Sequence, residues 1–265
     1  MKTAQRVPVL MYHRIGEAHN PWEAKYCISP QRFEVHMQTL ARAGKRAVVL
    51  SDFFTWLDGK SELPDGAFLL TFDDGFLGLH EHALPILDEL GYAATVFLVS
   101  ALTGQRDVWC RASNPSGATY PLLDSHHIQE MSRHDFAFQS HTRNHADLPT
   151  LDDGRLADEL AGSKAELEDL LGKPVDYLAY PFGRYDERVL TGARTAGYRA
   201  AFSVQPGFNR RDIDRFRIRR LDIFGTDTPA MLARKLRFGS NDGSWRQALR
   251  YYGARLASRL GAGHG

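Results

Sequence analysis

The chain has 265 residues, 43% of them hydrophobic, enough to bury the core of one large α/β domain. Its 33 basic and 32 acidic residues leave a formal charge of +1, so no global field draws it to nucleic acid. Two cysteines, Cys27 and Cys110, are too few for a disulfide framework, lack metal-ligand spacing and read as buried or free thiols.

In chain order, Val7 to Tyr12 reads as a first buried strand ended by His13. Broken by Pro8, it is too short for a secretory segment, so a cytoplasmic location is expected unless a leader was removed. No stretch approaches the roughly 18 unbroken apolar residues of a membrane span. Ser29 and Pro30 open a helix with Phe33, Met37 and Leu40 at helical spacing and Gly44 as its stop. Ala47 to Leu50 is a short strand, and a helix runs on through Leu57. Ala67 to Phe72 is a strand, Ala83 to Leu90 a helix closed by Gly91, and Ala93 to Val99 a strand rich in β-branched and aromatic residues.

From Gly104 to Ser125 the chain is polar and punctuated by Pro115, Gly117 and Pro121; with Trp109 and Tyr120 inside, it reads as a substrate-facing loop. Asp135 to Gln139 is the next strand. Leu156 to Leu171 forms an amphipathic helix, with Leu156, Leu160, Leu167 and Leu171 on one face and acids with Lys164 opposite. Val175 to Tyr180 and Ala200 to Val204 are strands on either side of a helix from Glu187 to Ala196. After a basic patch from Arg210 to Arg220, Leu221 to Phe224 makes the last strand. This alternation is close to what a closed or nearly closed α/β barrel needs. The stretch from Trp245 to Leu260 reads as a basic amphipathic helix, either packed on the body or lying on a membrane surface.

The run Leu69-Leu-Thr-Phe-Asp-Asp-Gly75 is an apolar strand that stops at adjacent carboxylates, Asp73 and Asp74, and Gly75 allows the turn that lets both approach one point. Two such charges raise one pKa strongly unless a cation sits beside them. Ser140-His-Thr-Arg-Asn-His145 supplies an H-x-x-x-H pair directly after a strand, with both imidazoles on one face if the segment turns helically. Two histidines and one aspartate suit a divalent ion with open positions for water and substrate. By itself, Tyr180-Pro-Phe-Gly183 reads only as a strand-ending turn.

Thr71-Phe-Asp-Asp-Gly75, Ser140-His-Thr-Arg-Asn-His145 and Tyr180-Pro-Phe-Gly183, in this order, strongly resemble the motifs of the polysaccharide deacetylases, carbohydrate esterase family 4, with their NodB homology domain. The resemblance covers residues 7–225 and implies an α/β fold: a single-domain distorted (β/α) barrel of about seven strands over residues 1–225, with 226–265 as a helical extension. It also implies metal-dependent hydrolysis of an N- or O-acetyl group on a sugar. By the family's pattern Asp73 is the general base. Asp74, His141 and His145 hold one divalent ion, Zn2+ first, with Ni2+, Co2+ or Fe2+ as alternatives. The Phe182 N–H faces the developing oxyanion, and Tyr180 and Pro181 help to bind substrate.

Two positions depart from that pattern. Ala179 stands where many members carry an arginine that holds the base, so Arg219 or Arg220 is expected to substitute. The late Leu-x-x-His motif is replaced by Leu221-Asp-Ile-Phe224, so the general acid must come from elsewhere. Val9-Leu-Met-Tyr-His-Arg-Ile15 resembles the opening of the permuted branch that includes poly-β-1,6-N-acetylglucosamine deacetylases, where an early histidine takes the acid role; here it is His13.

Trp109, Tyr120, Phe76 and Phe208 are candidates for sugar stacking, and Asp186, Asp222 and Asp227 for the rim. His36, His80, His82, His126, His127 and His134 read as surface or cap residues. The expected activity is removal of acetyl groups from N-acetylhexosamine residues of a saccharide or exopolysaccharide. The alternatives are an O-acetyl esterase and a catalytically silent carbohydrate-binding barrel.

Overall fold

The structure, a computed structural model, describes residues 5–246. Its strands are β1 (Val9–Tyr12), β2 (Arg14–Ile15), β3 (Cys27–Ile28), β4 (Arg46–Ala47), β5 (Ala67–Phe72), β6 (Ala94–Leu98), β7 (Phe136–Ser140), β8 (Tyr177–Ala179), β9 (Ala200–Phe202) and β10 (Leu221–Asp222). Its helices are α1 (Glu23–Tyr26), α2 (Pro30–Arg42), α3 (Leu50–Leu57), α4 (Leu84–Leu90), α5 (Ser125–Met131), α6 (Asp153–Ala157), α7 (Ser163–Leu171), α8 (Glu187–Thr195) and α9 (Pro229–Phe238). Strands β10, β1, β5, β6, β7, β8 and β9 lie side by side in that order in one parallel sheet, and β4 pairs with β5. This seven-strand path curls into a half-barrel surrounded by helices, in a single domain.

Alternation along the strands divides the core. Leu10, Tyr12, Leu70, Phe72, Val96 and Phe138 face outward and pack with Phe33, Met37, Leu84, Leu87 and Ile128 of the surrounding helices. Val9, Leu69, Phe97, Ala179, Phe202 and Ile218 group instead with Phe53, Phe54 and Trp56 of α3, which plugs the N-terminal end of the sheet. The gap between the sheet edges is narrowed by residues 218–222: Ile218 bridges in parallel to Phe202 of β9, and Leu221 and Asp222 pair with Leu10 and Met11 of β1. Arg220 lies between these two pairings, its side chain fully buried.

Several segments depart from their sequence pattern. The polar stretch after Gly104 is tied down by antiparallel bridges Phe76↔Leu122 and Arg106↔Pro121 and a short turn at Val108–Cys110. The predicted helix over 156–171 begins earlier, at α6, and is widened at Asp158–Gly162 into a π turn before continuing as α7. Within that wider turn Glu159 is buried, not solvated with the other acids. His36 is likewise no surface residue, because it shares the buried stripe of α2 with Phe33, Met37 and Leu40 and bonds Tyr12 Oη (3.1 Å) and Asp227 O (2.9 Å). Helix α9 inserts Leu232 and Leu236 into the outer core and pairs buried Lys235 with Asp227. Apart from Trp245 and Arg246, the expected basic amphipathic helix lies outside the described residues.

Candidate active site

The C-terminal ends of the strands concentrate backbone strain. The non-glycine residues with positive φ among the described residues, Asp74 (74°), Thr142 (66°), His145 (57°) and Phe182 (57°), all follow β5, β7 or β8. Such conformations cost about 1–3 kcal/mol each and persist where the surroundings over-determine them. Gly183 completes the Phe182 turn at φ 65°, where a Cβ would stand 2.1 Å from Val204 Cγ2.

The expected helical turn between His141 and His145 does not form. The Thr142 and Arg143 carbonyls accept from Ser100 N and Ala101 N at 3.1 and 3.0 Å, which removes them from any helical ladder. Left-handed residues bring the imidazoles together instead. Strand register places the other groups: continuing the Tyr12↔Phe72 pairing by one residue sets His13 beside Asp73, and continuing Ser140↔Leu178 sets His141 beside Ala179.

The adjacent aspartates have opposite surroundings. Both Asp73 oxygens accept from Arg220, Nη1 to Oδ1 at 2.6 Å and Nη2 to Oδ2 at 2.8 Å, and the Arg220 Nε donates to Ser203 O at 3.0 Å. Burial pushes the Asp73 carboxyl up, but Arg220 and His141 outweigh it and hold the group at about 2. Burial, then Asp73 and Asp107, drive the Asp74 carboxyl well above the usual range.

Asp74 Oδ1 is buried with no hydrogen-bond partner among the described residues, while His141 Nε2 lies 3.6 Å and His145 Nε2 3.4 Å from it. One ligand atom from each of the three residues lies within 4.8 Å of the others. His141 Nδ1 donates to Ala179 O at 2.8 Å, which leaves Nε2 as the free lone pair. An orphaned carboxylate oxygen facing two imidazole nitrogens is a donor set that fits a divalent cation.

These groups open on a cavity of about 460 Å³, within the range of small-ligand sites. His13 lines one side; burial draws its imidazole down to about 4 against the pull of Asp73, with Arg220, His141 and Lys25 reinforcing the fall. Trp109 stacks on His145 with centroids 4.5 Å apart, and Phe182, 57% exposed, meets the same ring edge-on at 4.6 Å. Tyr120, a stacking candidate, lines the cavity in a wall whose other members went unread in the sequence: Arg14 pairs with buried Glu23 at 3.0 Å and lies over Tyr120, and Asn114 Nδ2 donates to Glu23 at 2.9 Å. Asp107 joins it, raised by burial to about 6. No local motif marks these residues, because they meet only when the segments around Glu23 and Asp107 fold over the rim.

The profile of the polysaccharide deacetylase family matches residues 60–201, the span that carries Asp73, Asp74, His141 and His145. The chain belongs to the polysaccharide deacetylase family. The Bacillus subtilis (strain 168) protein YxkH is 26% identical to this deacetylase over 218 residues, 82% of this chain and 71% of that protein. The poly-β-1,6-N-acetyl-D-glucosamine N-deacetylase of Staphylococcus epidermidis is 24% identical over 208 residues, 74% of this chain and 68% of that enzyme. The structure of the Streptococcus pyogenes deacetylase PplD superimposes with a TM-score of 0.75 at 23% identity, covering 89% of this chain and 99% of PplD, and shows the same fold.

The other candidates divide between the cavity and the rest of the fold. Arg219 is exposed and folds over Gly207, so of the two arginines only Arg220 reaches Asp73. Phe208 lies at the opposite end of the sheet: neighbouring Asn209 bonds Val7 ahead of β1, and the Phe208 ring packs against Arg6 and Gly239. Tyr180 and Pro181 are buried; Tyr180 lines the cavity, and its hydroxyl donates to Phe216 O at 3.1 Å. Asp186 caps α8 and Asp227 pairs with Lys235, whereas Asp222 lines the cavity.

Proposed function

We propose that this chain is a divalent-metal-dependent N-deacetylase acting on N-acetylhexosamine residues of a saccharide or exopolysaccharide. One observation carries the reading: the orphaned Asp74 oxygen faces His141 and His145 while the neighbouring Asp73 is locked in its ionised form by Arg220. The Staphylococcus epidermidis relative, named for N-deacetylation of poly-β-1,6-N-acetylglucosamine, supports the substrate class. Zn2+ suits two imidazoles and a carboxylate, with Ni2+, Co2+ and Fe2+ as competitors.

Held by Asp74, His141 and His145, a divalent ion supplies Lewis-acid polarisation of the acetyl carbonyl and an acidified water. Asp73 accepts the proton of the attacking water at a carboxylate oxygen, with Arg220 keeping that group aligned. His13, set beside Asp73 by the β1–β5 register and drawn toward its charged form by that carboxylate, takes over the proton that Asp73 removed from water and passes it to the departing amine nitrogen. The Phe182 N–H, presented by the left-handed turn after β8, faces the oxyanion. Trp109 offers an aromatic wall to the sugar ring.

The deciding experiment measures acetate release from defined N-acetylglucosamine oligomers, with and without chelator. Activity is expected to vanish on chelation and return with Zn2+. Asp73→Asn should retain metal and lose at least about 100-fold in rate, the usual worth of a general base, whereas His141→Ala should lose both. Undiminished hydrolysis by Asp73→Asn rules out its role as base; acetate released only from O-acetylated sugars favours the esterase alternative.

A further inference from the structure

The two histidines at the rim are held by different means. His141 is pinned through its ring by the bond to Ala179 O, but His145 Nδ1 is buried with no hydrogen-bond partner among the described residues, and its ring is flanked by Trp109, stacked on it, and by His141 and Phe182, edge-on. The direction of His145 Nε2 therefore depends on its backbone, which is left-handed there and at Thr142.

That backbone is clamped from outside by one side chain. Glu159 Oε2 accepts from Arg143 N at 3.0 Å and from Asn144 N at 2.9 Å, and Oε1 accepts from Asn144 Nδ2 at 2.7 Å. Glu159 is only 6% exposed, on the π turn that interrupts the helix opposite the site. Ser163 and Glu166, four and seven residues further on, continue the same face. Ser163 Oγ meets Ser140 Oγ at 2.7 Å, and Glu166 accepts from Arg143 Nε at 2.7 Å and Ser100 Oγ at 2.6 Å. Gly162 leaves room for the Arg143 side chain, whose Cδ would lie 3.4 Å from a Cβ at that position.

We propose that Glu159 is a positioning residue for the metal site: by holding the Arg143 and Asn144 N–H groups it fixes the left-handed turn that aims His145 Nε2 at Asp74. The inference rests on the reading of Asp74, His141 and His145 as ligands.

The test titrates metal-free protein with Zn2+ against a chromophoric chelator and uses Co2+ absorption to report ligand geometry. Glu159→Ala is expected to weaken Zn2+ about 10–100-fold, the usual cost of losing an outer-shell partner, and to change the Co2+ spectrum. Glu159→Gln should restore most of the affinity, because its amide oxygen can accept both backbone N–H groups while a flipped Asn144 amide accepts from the new NH2. Asn144→Ala, at an exposed position, should weaken binding less and in the same direction, and serves if Glu159→Ala does not fold. Asp152→Ala, which removes the cap on Arg155 N and an exposed ion pair with the same residue, should lower the melting temperature without altering Zn2+ affinity. Wild-type affinity in Glu159→Ala, or in Asn144→Ala should that be the variant that folds, overturns the inference, as does a Gln variant no better than Ala. Failure of the wild-type chain to bind Zn2+ overturns the ligand reading instead.

Discussion

At its N-terminal end the curled sheet is filled with hydrocarbon, and at its C-terminal end the same strands finish in buried charge. The base is closed by Phe53, Phe54 and Trp56 of α3, with Phe54 stacked on Tyr177 at 4.0 Å between centroids. The rim holds Asp73, Asp74, His141 and His145, all buried, on turns that include left-handed residues. Strain and desolvated charge at one end are tolerated because apolar burial at the other supplies the stability that they consume. The contrast also separates roles: a change at the base is expected to act on folding alone, and one at the rim on folding and chemistry together.

The largest break in that contrast should come from Arg220→Met. It leaves the Asp73 carboxylate buried and unpaired, with an expected loss of roughly 3–5 kcal/mol in denaturant unfolding together with loss of acetate release. The pH dependence gives a signature. Because the folded Asp73 carboxyl sits at about 2, below its unfolded value, the pairing contributes stability that is full above about pH 4 and lost as pH falls toward 2. The variant should lack this acid limb, as urea melts between pH 2 and 5 would show; a retained limb would assign it to another carboxylate.

Phe54→Leu probes the opposite end on a smaller scale. It removes the stack on Tyr177 and is expected to cost about 1 kcal/mol while leaving Zn2+ affinity unchanged. A coupled fall in affinity would show that the ends are not independent. The smallest effect is expected at Asp222, whose carboxyl is raised by burial to about 6. Its charged form is disfavoured in the folded chain, so the penalty is absent below the unfolded pKa near 4 and grows as pH rises through 6. Asp222→Asn should accordingly gain stability at pH 8 and none at pH 4, and an equal gain at both would assign the effect to packing.

Local pattern carried the reading of strands, most helix stops, the aspartate pair and the histidine pair, because each depends on residues close in sequence, whereas the division of roles between Asp73 and Asp74 came from the resemblance to the family. Asp73 and Asp74 follow a strand that is apolar but for Thr71, and His141 follows one whose last two residues, Gln139 and Ser140, are polar yet buried; charged and imidazole side chains then collect where the strands end. What local pattern misjudged was direction. The histidine pair suggested a helical turn, yet Ser100 and Ala101 claim its carbonyls from a neighbouring loop. The acids of the 156–171 helix looked uniformly solvated until a π turn rotated Glu159 inward.

By itself, then, the sequence determined the order of strands and helices, the aspartate pair and the histidines, since side-chain alternation and strand termination are properties of short segments. Only the tertiary structure decided which arginine serves Asp73. Arg220 lies 147 residues beyond its partner and reaches it because residues 218–222 pair with β9 on one side and β1 on the other. Adjacent Arg219, one residue out of phase on an extended chain, points to solvent. Closure of the sheet separates two arginines that composition and spacing leave equivalent.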